Sequence, residues 1–188
     1  MVHAGHIPDL GPGSGLSCAV RLNSVLTEEQ KNLYQNRQDI EWVLDELRVI
    51  AMVGLSADPQ KASSFVAGYL LEAGYQVVPV NPRADDILGQ KVYRTLADIP
   101  FPVDVVDVFR PAAECDSLVE QAIAIRARAF WQQLRIVNLG AAERARAAGL
   151  ISVVDACLKM EHGRTHGGLH EAGMNTELIS ARRVHRRY

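Results

Sequence analysis

Three cysteines, Cys18, Cys115 and Cys157, are all that the sequence holds, odd in number and widely scattered. That argues against a disulfide framework and for a reducing compartment. No apolar run approaches the ~20 residues that a membrane-spanning helix needs. The first residues lack a basic start followed by an apolar core, so no secretory signal is expected. A surplus of either charge is missing too: the formal net charge is −2, which gives no global pull toward nucleic acid or membrane. These absences lead to the expectation of a cytoplasmic protein with neither nucleic acid nor membrane as partner. Two nucleotide motifs are also absent, the dinucleotide fingerprint G-x-G-x-x-G and the P-loop G-x-x-x-x-G-K-[ST]. No paired carboxylates and no Ser-His-Asp set can be assigned to one site, so no catalytic residue is named. What remains is ordinary. The 188 residues are 48% hydrophobic and 22% charged, a composition that suits one globular domain with extra segments at its ends.

The informative stretch is Val49 to Gly74. Val49–Val53 is a short apolar run rich in β-branched residues, with the length of a strand buried on both faces. Gly54 ends it, and a polar loop containing Pro59 and Lys61 follows. Ser63 or Ser64 is placed to cap a helix carrying Phe65, Val66, Tyr69 and Leu70 at helical spacing. Gly74 is placed to stop that helix, and a second β-like run, Gln76–Val80, follows at once. The unit reads β-α-β. Its first loop offers glycine, hydroxyls and a lysine at a helix N-terminus, where free N–H groups and the helix dipole suit an anion such as phosphate.

Around this unit, residues 1–26, with Gly11-Pro12-Gly13-Ser14-Gly15, read as a disordered leader, or as an over-long start of the reading frame. Thr27 opens a helix with Gln30 completing a capping box, and Ile40, Val43, Leu44 and Leu47 form its apolar stripe, expected to pack on a sheet. Further strands are expected at Lys91–Tyr93, Val103–Phe109, Ala129–Gln132 and Ile151–Val154, with helices at Ala112–Ala127 and Ala141–Ala148. Strands alternating with helices imply a parallel sheet covered on both faces, an α/β doubly wound, Rossmann-like fold with an added N-terminal helix. The domain is expected to span residues 27–162, followed by a C-terminal tail over 163–188. The expected strand order is 3-2-1-4-5. Ligands in such sheets bind at the carboxyl ends where the order reverses. Gly54 to Ser64 and Phe109-Arg110 should therefore flank one crevice, with Asn81-Pro82-Arg83 and Gln132-Gln133 at its sides.

The nucleotide is constrained by the end of the second strand. NAD sites place an acid there for the ribose 2′-OH, whereas this chain has Asn81-Pro82-Arg83. A positive charge suits a ribose phosphate, which both NADP and coenzyme A carry.

At this point the chain resembles the family of small stand-alone coenzyme A-binding proteins, whose Rossmann-like domain is similar to that of the succinyl-CoA synthetase α chain. The matching pieces are Val53-Gly54-Leu55-Ser56, Asp58-Pro59-Gln60-Lys61-Ala62-Ser63, Val80-Asn81-Pro82, Lys91-Val92-Tyr93, Val106-Asp107-Val108-Phe109-Arg110, Trp131-Gln132-Gln133-Leu134 and the run from Asp155 to His162. The resemblance implies coenzyme A or a short acyl-CoA as ligand. Its pyrophosphate would lie in the first loop, with Gly54, Leu55, Ser56, Lys61, Ser63 and Ser64. Its adenosine end would be bordered by Asn81, Pro82 and Arg83, and Phe109, Arg110 and Gln133 would complete the site. After Leu134 the pattern calls for glycine, and this chain has Arg135. The resemblance supplies no catalysis, because the further domain that carries the synthetase's phosphorylated histidine has no counterpart here. A binding protein is the leading class. The alternatives are an NADP-type oxidoreductase or an acyl-CoA-dependent transferase acting with a partner. A homo-oligomer and a partner enzyme both stay open.

Several residues carry two readings. Lys61 is a phosphate ligand or a solvated loop lysine. Arg110 serves the ligand or pairs with Asp104 or Asp107. The acids of Val103–Phe109 alternate poorly with burial, so at least one should have a partner. Trp131 reads as core rather than as a stacking platform. Cys157 is a reactive thiol or, as favoured, a small buried residue ending the last strand. His162, His166 and His170 have the spacing of helical metal ligands, but Gly163, Gly167 and Gly168 argue against that helix. The basic run from Arg182 to Arg187 reads as a solvated end, and the stretch from Gly167 to Ile179 offers itself to a partner subunit.

Overall fold

The computed structural model describes residues 25–167. The expectations for residues 1–24 of the leader, Cys18, Gly168, His170 and the stretch that follows lie outside the described residues, whereas Leu26, at the end of the expected leader, is buried against Tyr34, Ala142 and Val154. A parallel sheet forms the centre, because five short apolar runs can bury both faces only if helices cover each side. Its early elements are α1 (Glu28–Tyr34), α2 (Arg37–Glu46), β1 (Val49–Val53), α3 (Ala62–Glu72) and β2 (Gln76–Val80). A small hairpin follows, β3 (Asp86–Ile87) and β4 (Gln90–Lys91), and then β5 (Val105–Val108), α4 (Cys115–Ala124), β6 (Ala129–Gln132), α5 (Leu139–Ala147), β7 (Ile151–Val153) and α6 (Leu158–His166). The sheet order is β2-β1-β5-β6-β7, all parallel. Among the described residues no helix is long and apolar enough to cross a membrane.

Alternation along each strand sorts the core into two layers. Ile50, Met52, Val77, Val105, Trp131 and Val153 face α2, α3 and α6, where Val43, Leu44, Leu47, Val66, Leu70 and Leu158 meet them. Ala51, Val53, Val78, Val106, Val108 and Phe130 face the other way, onto Leu118, Val119 and Ala122 of α4 and Ala141 and Ala145 of α5. The stripe predicted on the N-terminal helix is therefore buried on the sheet as expected.

Several boundaries differ from the sequence reading. The single helix expected after Thr27 is two. Asn36 interrupts it and caps the second, its Oδ1 accepting from Gln38 N at 2.9 Å and Asp39 N at 3.2 Å. The capping box of Thr27 and Gln30 is present on the first. The strand expected at Lys91–Tyr93 shrinks to one parallel bridge, Val80 to Tyr93. The chain before it folds into the β3–β4 hairpin instead. Leu88 and Gly89 at its tip both have positive φ, 55° and 70°, as a tight two-residue hairpin turn requires. Finally, Gly163 does not prevent α6. The helix is held by packing on α3, and a β-carbon at Gly163 would lie 3.7 Å from the Tyr69 hydroxyl; local propensity is outweighed by tertiary contact.

Trp131 is fully buried, as core, and its Nε1–H donates to Ala156 O at 2.7 Å. That bond ties β6 to the turn between β7 and α6. Trp131→Phe keeps most of the apolar area but leaves a buried carbonyl without its donor. It should cost about 1–3 kcal/mol, read as a lower urea midpoint, and an unchanged midpoint would show that the bond contributes nothing.

Candidate functional site

β1 pairs with β2 on one side and β5 on the other, so the chain reverses direction across the sheet between β1 and β5. The turn leaving β1 and the turn leaving β5 touch. Gly54 has φ +88°, and a β-carbon there would lie 2.7 Å from both Phe109 O and Arg110 Cδ. Only glycine fits that backbone angle and that approach. The two turns, expected to flank one crevice, are in direct contact at Gly54.

The loop from Leu55 to Lys61 is organised by its own hydroxyls. Ser56 N donates to Ser63 Oγ at 3.1 Å, and Ser64 Oγ donates to Asp58 O at 2.7 Å and to Ser56 O. Ser56 Oγ accepts from Asp58 N at 3.1 Å. Here the sequence reading needs correction: neither Ser63 nor Ser64 is the N-cap. Lys61 occupies that position, and no side chain caps α3. Both serines are buried in the first turn and brace the loop instead. The start of α3, at the carboxyl end of β1, thereby keeps its first N–H groups without a side-chain cap, with Lys61 exposed beside them.

Asn81 fixes the other border. Its Nδ2 donates to Leu55 O at 2.8 Å, and its Oδ1 accepts from Arg83 N at 2.8 Å. One side chain therefore holds the loop after β1 against the turn after β2 and shapes the Asn81-Pro82-Arg83 turn. Pro82 and Arg83 are exposed.

Arg110 is not paired with Asp104 or Asp107. Its Nε and Nη2 grip Glu114 Oε2 and Oε1, both at 2.8 Å. Asp104 is occupied at the far end of the sheet, accepting from Arg48 N at 3.1 Å and Val49 N at 3.0 Å. Asp107 is fully buried, and its partner is Gln133, whose Nε2 donates to its two oxygens at 2.9 and 3.0 Å. Gln133 is thereby buried and held on Asp107. Burial pushes the Asp107 carboxyl up to about 8, against the weaker opposing effect of Gln133.

α6 runs beside α3, both with their N-termini toward the crevice. The Lys159 ammonium sits 3.9 Å from the Phe65 ring centre. One turn further, His162 Nδ1 lies 2.9 Å from the Tyr69 hydroxyl. The His162 and His166 rings stack at 4.6 Å, and His166 Nε2 reaches Asp45 at 2.7 Å. Burial, then His166, holds His162 below its usual range. Among the described residues no group of three or more His, Cys, Asp or Glu could hold a metal ion. Cys157 stands at the N-cap position of α6 without a side-chain capping bond and is half-buried, not the last residue of a strand. Burial raises its thiol against the backbone N–H groups of Met160 and Lys159, which disfavours the thiolate. Arg135 is exposed and has φ +66°. The glycine expected there matches a left-handed position that costs a side chain about 1–2 kcal/mol; Arg135 N is anchored on Asp155 Oδ1 at 2.7 Å.

A family model described as CoA binding domain matches residues 48–163. The chain belongs to this CoA-binding family. It is 34% identical over 130 residues to the Bacillus subtilis protein YneT, covering 69% of this chain and 96% of that relative. Among solved structures it is similar to a redesigned form of the protein PH1109, at 40% identity and a TM-score of 0.68, over 70% of this chain and 92% of that one. A larger enzyme shares the CoA-binding fold as one part. The dinucleotide-forming acetyl-coenzyme A synthetase 1 of Ca. Korarchaeum cryptofilum, in a complex with phosphate and ADP, matches at 26% identity and a TM-score of 0.52, over 59% of this chain and 26% of that one. The resemblance read from the sequence is thus upheld at the level of family and fold.

The residue that sequence reasoning missed is Glu114, although its i,i+4 spacing from Arg110 was readable. The buried Asp107–Gln133 pair was not, because nothing local sets which strand residue faces which. Asp107 binds its proton more tightly folded than unfolded. Its contribution is therefore favourable at low pH and declines as pH rises from about 4 toward about 8. Asp107→Asn should flatten that slope and raise the urea midpoint at pH 8 relative to the parent. A parent whose midpoint is level over this window would contradict the assignment.

Proposed function

We propose that the protein binds coenzyme A or a short acyl-CoA in the crevice at the carboxyl ends of β1, β2 and β5, and has no chemistry of its own. The observation that carries this reading is the uncapped N-terminus of α3 at the point of strand reversal, flanked by Lys61 and by Asn81-Pro82-Arg83 in place of a ribose-binding acid. Orphan N–H groups and the helix dipole accept a pyrophosphate there. The Leu55 to Ser64 loop cradles it, Arg83 lies on the adenosine side, and Phe109 and Arg110 close the opposite wall. Membership of the CoA-binding family supports the ligand class. A second reading, a component acting with a partner enzyme, draws on the match to one quarter of the acetyl-coenzyme A synthetase chain.

Calorimetry with coenzyme A, NADP and NAD tests the choice of nucleotide. Coenzyme A should bind tightest, and tighter binding of either dinucleotide would reject the reading. Lys61→Ala should weaken coenzyme A binding about 2–10-fold at low salt and make it less sensitive to added salt, since an exposed phosphate contact is screened by ions. Equal affinity of variant and parent at low salt would remove Lys61 from the site.

A further inference from the structure

Arg110 lies against the anion loop with its stem and away from it with its charge. Its Cδ would be 2.7 Å from a β-carbon on Gly54, yet its guanidinium is held by both oxygens of Glu114. We propose that Glu114 is a positioning residue that occupies Arg110 in place of a ligand phosphate, so that binding exchanges a carboxylate for a phosphate on one guanidinium. The ligand's identity as coenzyme A rests on the function proposed above; the exchange itself requires only a phosphate in the loop.

The chemistry of the exchange is matched. A guanidinium offers two parallel N–H donors, and carboxylate and phosphate oxygens fit that fork alike. The pair is 46% and 42% exposed, and an exposed pair of this kind shifts an equilibrium by about fivefold at most. A pyrophosphate, with two charges against the carboxylate's one and held also by the α3 N-terminus, can displace it. The backbone under Glu114 does not depend on the pair. Glu114 N donates to Pro111 O at 2.8 Å, Ser117 Oγ donates to Glu114 O at 3.0 Å, and Asn138 Nδ2 donates to Ala112 O at 3.0 Å. The carboxylate can therefore release Arg110 without unwinding the turn, and in the empty site it keeps the guanidinium from wandering.

The test is calorimetry of the full chain with coenzyme A and, separately, inorganic pyrophosphate, on the parent, Glu114→Gln, Arg110→Gln and the double variant, with a melting curve for each. Glu114→Gln should tighten both ligands about 2–5-fold with little change in melting temperature, and Arg110→Gln should weaken both. In the Arg110→Gln background the gain from Glu114→Gln should vanish. A purely structural Glu114 would lower the melting temperature and leave or weaken affinity, which overturns the proposal. A gain that persists without Arg110 means repulsion through space, and overturns it too. If the parent takes pyrophosphate, tightened by Glu114→Gln, but not coenzyme A, the exchange stands and the coenzyme A reading falls. Coenzyme A binding that is indifferent to Glu114→Gln does the reverse. Failure of both ligands on the parent rejects both.

Discussion

The close approach of Gly54 to Phe109 and Arg110 is the constraint on which the crevice depends. It joins the turns that leave two adjacent strands, β1 and β5, at the place where the chain reverses across the sheet. A side chain at residue 54 would need a left-handed backbone and would have to push aside a peptide oxygen. Because the approach is made, the loop after β1 leaves in a defined direction, and α3 starts where its N–H groups face the gap between strands. The serines inside the first turn and the Asn81 amide then fix the loop from two sides.

The candidate site is mostly backbone. Hydroxyls brace the loop and one amide ties it to the turn after β2, while the charged groups Lys61, Arg83 and Arg110 stand at its edge, exposed. Orphan N–H groups supply a fixed field, and exposed cations add attraction that salt can tune. Beneath this edge of the sheet, burial raises the Asp107 carboxyl and disfavours the Cys157 thiolate.

The face formed by α2, α3 and α6 shows how tertiary packing overrides local preference. Gly163 argues against a helix, yet α6 forms because Leu158 is buried in the core and the His162 ring is met edge-on by Tyr69 and Tyr75. The same packing lines up two helix N-termini at one end of the sheet and sets Lys159 over Phe65.

The sequence by itself determined the class of fold, the first β-α-β unit, the crevice-forming turns and the family, because these follow from apolar runs of strand length, from glycine and proline punctuation, and from motifs continuous along the chain. That the turns after β1 and β5 are neighbours was legible for the same reason, since strand reversal is a topological rule, but their direct contact was not. Only the tertiary structure decided that Lys61 rather than a serine begins α3, that Asp107 pairs with Gln133, that Arg110 grips Glu114, and that the segment before Tyr93 becomes a hairpin. Each of these is a competition between partners of similar chemistry. A hydroxyl can cap a helix or brace a loop, and Arg110 has Asp104, Asp107 and Glu114 close to it along the chain, of which the fold brings only Glu114 within reach. Local propensities separate such options by less than the energy of the packing that surrounds them, so distances in the folded chain settle what the order of residues leaves open.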